Sequence, residues 1–186
     1  MGRTSLLGPK RGIRARRQDG GVFAYDPSEW SDLFVAAAGA SAALLGLLFV
    51  AVSINLERIL KFPGLPGRAL EAMMQLTCVL LVSFAGLVPG QSHVALGIEL
   101  LLIVAIIGSI VVRQPVLVAD ETGREPTSWK VTRWTVRIAG LVAIAIAGLS
   151  LLFEGGGGLY WLAAGIALAT IAAIAGAWVL LVEILR

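Results

Sequence analysis

Long stretches of apolar residues alternate with short polar segments along most of this chain. A membrane helix needs about 20 consecutive apolar residues to cross the hydrocarbon core of a bilayer. Five segments reach about this length, and the first of them contains no charged residue. The predicted spans are about 33–54, 69–88, 94–112, 134–153 and 159–182. The pattern therefore predicts an all-α fold, a polytopic membrane bundle of five transmembrane helices.

Short connections pair four of these spans. Pro89 and Gly90 end the second span, and residues 89–93 join it to the third. Residues 154–158, which include four consecutive glycines, join the fourth span to the fifth. Because such short connections place consecutive helices side by side and antiparallel, we expect one single span followed by two helical hairpins.

The composition agrees with a membrane protein and narrows its chemistry. Hydrophobic residues make up 58% of the chain and charged residues 15%, whereas about 25% of residues are charged in ordinary soluble domains. The chain has one cysteine and one histidine, which excludes an intrachain disulfide and a metal cluster built from several such residues. We therefore expect no metal and no cofactor. Ser41 and His93 are the only candidates for a nucleophile and its base, and they fall on different elements, so we expect no enzymatic activity.

Basic residues lie asymmetrically around the predicted spans. The two short connections carry no Lys or Arg, whereas the opposite side carries nine, namely Arg58, Lys61, Arg68, Arg113, Arg124, Lys130, Arg133, Arg137 and Arg186. Since Lys and Arg in short loops mark the cytoplasmic side, we predict an N-terminus outside and a cytoplasmic C-terminus. Basic residues in a membrane protein report orientation and anionic lipid, so we expect no nucleic-acid partner.

The first 28 residues differ from the rest of the chain. They are poor in apolar residues and rich in arginine and glycine, a composition typical of disorder. The chain therefore divides into a disordered basic tail at 1–28 and a transmembrane domain at 29–186.

Small residues recur at every fourth position in three spans. This spacing keeps them on one helix face, where small side chains let membrane helices approach closely. The three series are Ala38, Ala42 and Gly46, then Ala139, Ala143 and Ala147, then Gly165, Ala169, Ala173 and Ala177. We expect the fourth and fifth spans to meet along these faces, the alternative being that the chain is simply rich in alanine. The third span is nearly all branched residues from Leu100 to Ile107, which suits a helix that faces lipid.

A few ionisable or polar residues lie inside the predicted spans, where they are costly and face protein or water. Glu99, the sixth residue of the third span, is the clearest candidate for an ion or proton site. The alternatives are a hydrogen-bonding role between helices and a carboxylate that reaches the headgroups or is protonated in place. Glu71 and Gln75 share one face near the start of the second span and are further candidates. Glu71 also has Arg68 three residues before it, a spacing that favours a local ion pair.

A basic and aromatic cluster precedes the fourth span. Lys130, Arg133 and Arg137 share a helical face, and Trp129 and Trp134 flank it. Tryptophans concentrate at membrane–water interfaces, and clustered basic residues attract anionic headgroups. The cluster therefore predicts an anionic-lipid site or a general interfacial anchor.

Three stretches carry a resemblance to a known family. They are residues 46–60 (GLLFVAVSINLERIL), 65–69 (LPGRA) and 177–186 (AWVLLVEILR). Together they resemble small bacterial, largely actinobacterial, integral membrane proteins that often carry the label of modulators of the FtsH membrane protease. The resemblance covers the chain from about Glu29. It implies a location in the bacterial inner membrane and supplies no catalytic residues.

The function that these observations favour is that of a non-enzymatic integral membrane protein that binds or regulates another membrane complex. Its partners would be the lipid bilayer and either a second copy of itself, in a homo-oligomer, or another membrane protein. The alternative is a small homo-oligomeric channel or transporter in which Glu99 is the intramembrane ionisable site.

Overall fold

The structure, a computed structural model, describes residues 23–61, 64–113 and 127–185. Within these ranges the chain forms six α-helices, and a short 3-10 helix at Pro27–Trp30 leads into the first. The helices are α1 Ser31–Ile54, α2 Leu56–Lys61, α3 Leu65–Gly86, α4 His93–Arg113, α5 Thr127–Phe153 and α6 Leu159–Leu185. All except α2 are long and apolar enough to cross a membrane. The predicted fold class, an all-helical bundle with five candidate spans, is confirmed.

Local signals explain where several helices begin and end. α3 begins at Leu65, four residues before the predicted span, because Gly64 takes a left-handed conformation (φ 96°) and a proline stands in the first turn. Proline suits that place, since the first turn has no use for its missing N–H. α1 ends at Ile54, where the side chain of Asn55 donates a hydrogen bond to the Ala51 carbonyl at 2.9 Å.

Four of the long helices form a ring. α3 packs against α4 and α6, and α5 packs against the same two helices, so α3 and α5 stand at opposite corners. The turns at 87–92 and 154–158 lie at one end of this ring, which we call the turn end. At the opposite end, called the linker end, α3 and α5 begin and α4 and α6 finish. The two predicted hairpins are therefore the two halves of one four-helix bundle.

The remaining span, α1, lies outside the ring. Its main neighbour is α3, and it makes much smaller contacts with α6. Only 22% of its most apolar window is buried inside the protein, compared with 56% for α3. The most central helix is therefore α3, and α1 leaves most of its surface free to face lipid or another protein.

Two apolar clusters fill the interior. The larger one occupies the ring toward the turn end and takes residues from all five spans, including Phe34, Val82, Leu100, Ile144 and Leu162. The smaller one lies toward the linker end, where α1, α2, α3 and α6 meet; its members include Leu48, Ile59, Leu76, Ala173 and Leu180. Buried aliphatic side chains thus form a packed layer across the bundle between its two ends.

Glycines mark the closest helix crossings in the ring. A Cβ on Gly97 of α4 would lie 2.9 Å from the carbonyl oxygen of Gly148 on α5. On the other side of α5, a Cβ on Gly165 would lie 2.6 Å from the Ile144 side chain, and one on Gly140 would lie 3.3 Å from the Ala169 nitrogen. These contacts show that α5 and α6 approach each other closely around Gly140, Gly165 and Ala169.

The small-residue series are only partly buried. Ala38, Ala143, Ala147, Gly165 and Ala169 are buried and Ala139 is half-buried, as the packing prediction requires. Ala42 and Gly46, however, are exposed, because the one helix packed along α1 covers the face of Ala37, Ala38 and Ser41 instead. Ala173 is buried in the cluster built around α3, and Ala177 is half-buried beside it. Ala173 therefore packs toward α3, because a spacing of four residues drifts around α6, and its contact with α5 stays a prediction.

α4 has one face inside the protein. Leu96, Leu100, Ile107 and Val111 are buried, whereas Leu102 and Ile106 are exposed. The prediction of a lipid-facing helix therefore holds for one side of α4 and not for the other.

Candidate functional site

A buried ion pair crosses the centre of the ring near the linker end. Nη1 of Arg137 on α5 lies 2.5 Å from Oε1 of Glu71 on α3. The two side chains are 4% and 11% exposed, respectively. Because α3 and α5 occupy opposite corners, this pair joins helices that have α4 and α6 between them. Two long side chains thus tie the two hairpins together through the bundle interior.

Gln75 extends this polar group by one turn of α3. It lies four residues after Glu71 and is 7% exposed. Gln75 therefore brings a buried polar group to the same level of the bundle as the ion pair. The sequence correctly placed Glu71 and Gln75 on one face, and that face points into the protein.

The structure corrects the role predicted for Arg137. Its spacing from Lys130 and Arg133 favoured a headgroup anchor, but its side chain is buried and paired with Glu71. α5 begins at Thr127, seven residues before the predicted span, so Arg137 lies three turns into the helix rather than in its first turn. The side chains of Trp129, Lys130, Arg133 and Trp134 lie outside the described residues, and the anchor remains a prediction for them.

Breaking this pair should be costly. Removing one partner of a buried ion pair typically destabilises a protein by about 3–5 kcal/mol, because the other charge stays buried without compensation.

Glu71 was expected to pair with Arg68 on its own helix, and the structure provides a partner on α5. The sequence did contain a signal for this contact, since the two opposite charges lie near the same end of two different spans.

Glu99 lies near the turn end and is half-buried. Its Oε2 accepts a hydrogen bond of 2.7 Å from the side-chain amide of Gln91, in the turn before α4. The carboxylate therefore has a polar neighbour. Glu99 does not join Glu71 and Gln75: counted from the turn end at 1.5 Å per residue, it lies about 9 Å along α4, whereas Glu71 lies about 22 Å along α3.

A second ion pair connects the two turns at the turn end. Nε2 of His93, the first residue of α4, lies 2.9 Å from Oε1 of Glu154, which follows α5. Beside this pair lies a cavity of about 440 Å³. It is lined by Tyr25, Asp26, Pro27, Gln91, Ser92, His93 and Glu154. These residues come from three separate segments, so no spacing along the chain connects them.

The segment before α1 docks on the α5–α6 turn. The Leu159 N–H donates to the Ala24 carbonyl at 2.8 Å, and the Gly157 N–H donates to the Tyr25 hydroxyl at 3.3 Å. Trp30 packs edge-on against the Tyr160 ring, with centroids 4.8 Å apart. Residues 23–28, which the sequence assigned to the disordered tail, therefore belong to the folded domain.

The glycines of residues 155–158 make this docking possible. Gly156, Gly157 and Gly158 all have positive φ, a conformation that side chains disfavour. A Cβ on Gly158 would collide with the Ala24 carbonyl oxygen. The Ser150 hydroxyl closes the turn, donating to the Gly155 carbonyl and accepting from the Gly158 N–H.

The two candidate catalytic residues have other partners. The Ser41 hydroxyl donates to carbonyls of its own helix, at 2.7 Å to Ala37 and 3.1 Å to Ala38. His93 pairs with Glu154. Among the described residues, no group of three or more His, Cys, Asp or Glu side chains is placed to hold a metal ion.

Comparison of the chain with protein-family models, with curated proteins and with solved structures finds no match. Within the described residues, the chain forms a bundle of five candidate membrane spans, with the buried Arg137–Glu71 pair near one end and the His93–Glu154 contact at the other.

Proposed function

We propose that this chain is a non-enzymatic integral membrane protein whose helix α1 binds a transmembrane helix of another membrane protein. The distribution of glycines supports this proposal. At Gly86, Gly97, Gly148 and Gly165, a Cβ would approach a neighbouring helix to 2.5–3.0 Å. A Cβ would meet nothing within 4 Å at Gly108 of α4 or at Gly39 and Gly46 of α1, so α1 is the described helix that carries two such open glycines.

Glycine in a helix interior costs about 1 kcal/mol relative to alanine. Close packing offsets this cost at the crossings inside the ring, but α1 has no such neighbour beside Gly39 and Gly46. Exposed Ala43 lies between these glycines on the same helix face. A face of small residues is what lets two membrane helices pack closely, so a helix from outside the bundle would supply the missing contact.

Photo-crosslinking in membranes tests this proposal. A photoreactive phenylalanine replaces Leu47 or Val50 of α1, which are 69% and 54% exposed. Matched controls carry it at Leu102 of α4 or Ile171 of α6, which are 57% and 59% exposed. We expect a protein adduct from the α1 positions only. An FtsH-type protease, which the family resemblance suggests, is one partner that mass spectrometry of the adduct would identify.

Substitution of the glycines sharpens the test. Gly39→Ile and Gly46→Ile should abolish the adduct while the protein stays folded, whereas Ala175→Ile, on the exposed side of α6, should leave it intact. An adduct of twice the chain mass would replace the proposal with a homo-oligomer. Equal adducts from all four positions would contradict a binding face on α1.

A channel or transporter built on Glu99 is the alternative function. The polar groups at the two ends are separated by Val79, Val82, Leu100 and Ile144, each at most 1% exposed. An ion path along the axis of one bundle would have to open this packed layer, which favours the binding function. Under the alternative, Glu99→Gln would abolish ion flux in liposomes without changing the fold.

We also propose that the turn end faces the outside of a bacterial inner membrane. The nine basic residues at the opposite side of the predicted bundle support this orientation. Cysteine labelling at Gly156 should work from outside the cell, and a cytoplasm-dependent fluorescent reporter fused after Arg186 should give signal. A dark reporter together with an inaccessible Gly156 would reverse the orientation.

A further inference from the structure

The His93–Glu154 pair is the only ion pair that joins the two turns within the described residues. His93 begins α4 and Glu154 follows α5, so the pair connects the two hairpins at their tips. Both side chains are accessible from outside the bundle, since His93 is 35% exposed and Glu154 is 66% exposed. A proton can therefore reach the imidazole without any rearrangement of the bundle.

Polar groups from three segments lie around the His93–Glu154 pair. Tyr25 and Asp26 approach from the segment before α1, Glu154 from the α5–α6 turn, and Gln91 and Ser92 from the turn before α4. On its own helix, Glu99 is bonded to Gln91. Within the part of the chain that the structure describes, these neighbours include three carboxyl groups and no lysine or arginine.

Asp26 is the carboxylate most firmly held in its charged form. Its side chain accepts hydrogen bonds from the Ser28 hydroxyl at 2.6 Å and from the Ser28 N–H at 3.0 Å. These bonds lower the pKa of Asp26 below its usual value. The charge of Asp26 is therefore constant over the range in which imidazoles titrate, about pH 5 to 8.

We propose that His93 and Glu154 form a pH-dependent latch between the two turns. When the imidazole carries its second proton, a full ion pair holds the turns together. When it is neutral, an uncharged imidazole faces the carboxylate, and the latch loosens. Because the α5–α6 turn also binds Ala24 and Tyr25, loosening it frees the segment that leads into α1.

Hydrogen exchange measured by mass spectrometry tests the latch on the full chain in lipid nanodiscs. The readout is the protection of peptides covering residues 154–160, corrected for the intrinsic pH dependence of exchange, between about pH 5 and 8. An exposed ion pair changes an equilibrium by about two- to five-fold, so protection should fall by that factor as the pH rises. Peptides around Gly165, deeper in α6, should not change.

Three variants separate the latch from other causes. His93→Gln should give low protection at every pH, and Glu154→Gln should remove most of the pH dependence. Asp26→Asn preserves a capping side chain and should leave the pH dependence intact. The latch is overturned if protection in the parent is the same at both pH values, if the pH dependence survives in His93→Gln, or if Asp26→Asn removes it.

A distance measurement covers the case in which a variant misfolds. Spin labels at Val88→Cys and Phe153→Cys, both exposed at the turn end, report the separation of the turns in a Cys78→Ala background. We expect a narrow distance distribution in acid and a broader one in base. A distance distribution that does not change with pH would overturn the latch, and this test needs no substitution at His93.

Discussion

The two ends of the bundle each carry an ion pair between the hairpins, in opposite surroundings. At the linker end, Arg137 and Glu71 are 4% and 11% exposed, whereas at the turn end His93 and Glu154 are 35% and 66% exposed. Attraction between charges is strong in a low-dielectric interior and weak near water. Burial also makes it costly to leave either charge alone. The linker end is therefore held by a contact that resists opening, and the turn end by one that opens at little cost.

The chemistry of the cations adds to this difference. An arginine guanidinium is charged at every ordinary pH, so the cation of the buried pair keeps its charge. A histidine changes its charge near neutral pH. The Arg137–Glu71 pair thus has a cation that does not change with pH, whereas the proposed His93–Glu154 latch at the other end of the ring responds to protons.

The largest effect should come from breaking the buried pair. Arg137→Met leaves Glu71 inside the bundle without the partner that the structure gives it, and should lower the free energy of unfolding by about 3–5 kcal/mol. Reversible unfolding in mixed detergent micelles measures the change. The double variant Arg137→Met with Glu71→Leu should recover most of the stability, since replacing both charges by apolar groups is often neutral. A single variant as stable as the parent would show that the pair does not form.

The next effect tests the packed layer between the two ends. Gly148→Leu should separate α4 from α5, because even a Cβ there would lie 3.0 Å from the Gly97 carbonyl oxygen. Overpacking costs about 1–3 kcal/mol. Gly108→Ala is the matched control, since a Cβ at Gly108 meets nothing within 4 Å, and it should be neutral or slightly stabilising. If both variants lose the same stability in the same unfolding assay, the crossing is not where the structure places it.

A smaller effect is expected where the α5–α6 turn holds the segment before α1. Gly158→Ala forces a side chain into a left-handed conformation, at a cost of about 1–2 kcal/mol, and against the Ala24 carbonyl. We expect residues 23–30 to detach, which limited proteolysis would detect as faster cleavage. Gly155→Ala, which lacks the positive φ of its three successors, should leave the cleavage rate unchanged. Slow cleavage of the Gly158 variant would mean that this docking does not depend on the glycine.

The smallest effect on stability should come from the exposed pair. His93→Gln should lower the free energy of unfolding by about 0.2–1 kcal/mol, and the latch proposed above would confine this loss to acid pH. The sign follows from the charged form being the one that pairs, so the contribution is present at low pH and lost as the pH rises. Unfolding measured at about pH 5 and pH 8 checks both points. If His93→Gln lowered the free energy of unfolding as much as Arg137→Met, the exposed pair would be as stabilising as the buried one, which would contradict the difference between the two ends.

The local pattern of residues predicted the spans, the hairpins and the shared helix face of Glu71 and Gln75. These features depend on interactions of short range in sequence. Hydrocarbon thickness sets the length of each apolar stretch, and a short turn permits only antiparallel neighbours. The small residues of α5 and α6 also belong here, since a short turn leaves those two helices few other ways to pack.

Only the tertiary structure decided which helix faces meet and which charges pair. Arg137 became the partner of Glu71 because the order of helices around the ring and the rotation of α5 bring the two charges together, and neither is encoded in the spacing along one helix. Ala42 and Gly46 stayed exposed for the same reason, since α1 has one main neighbour. The contacts of Ala24 and Tyr25 with residues 157–159 join segments more than 130 positions apart. A periodic pattern reports one face of one helix, and contacts of this kind depend on how all the helices are arranged at once.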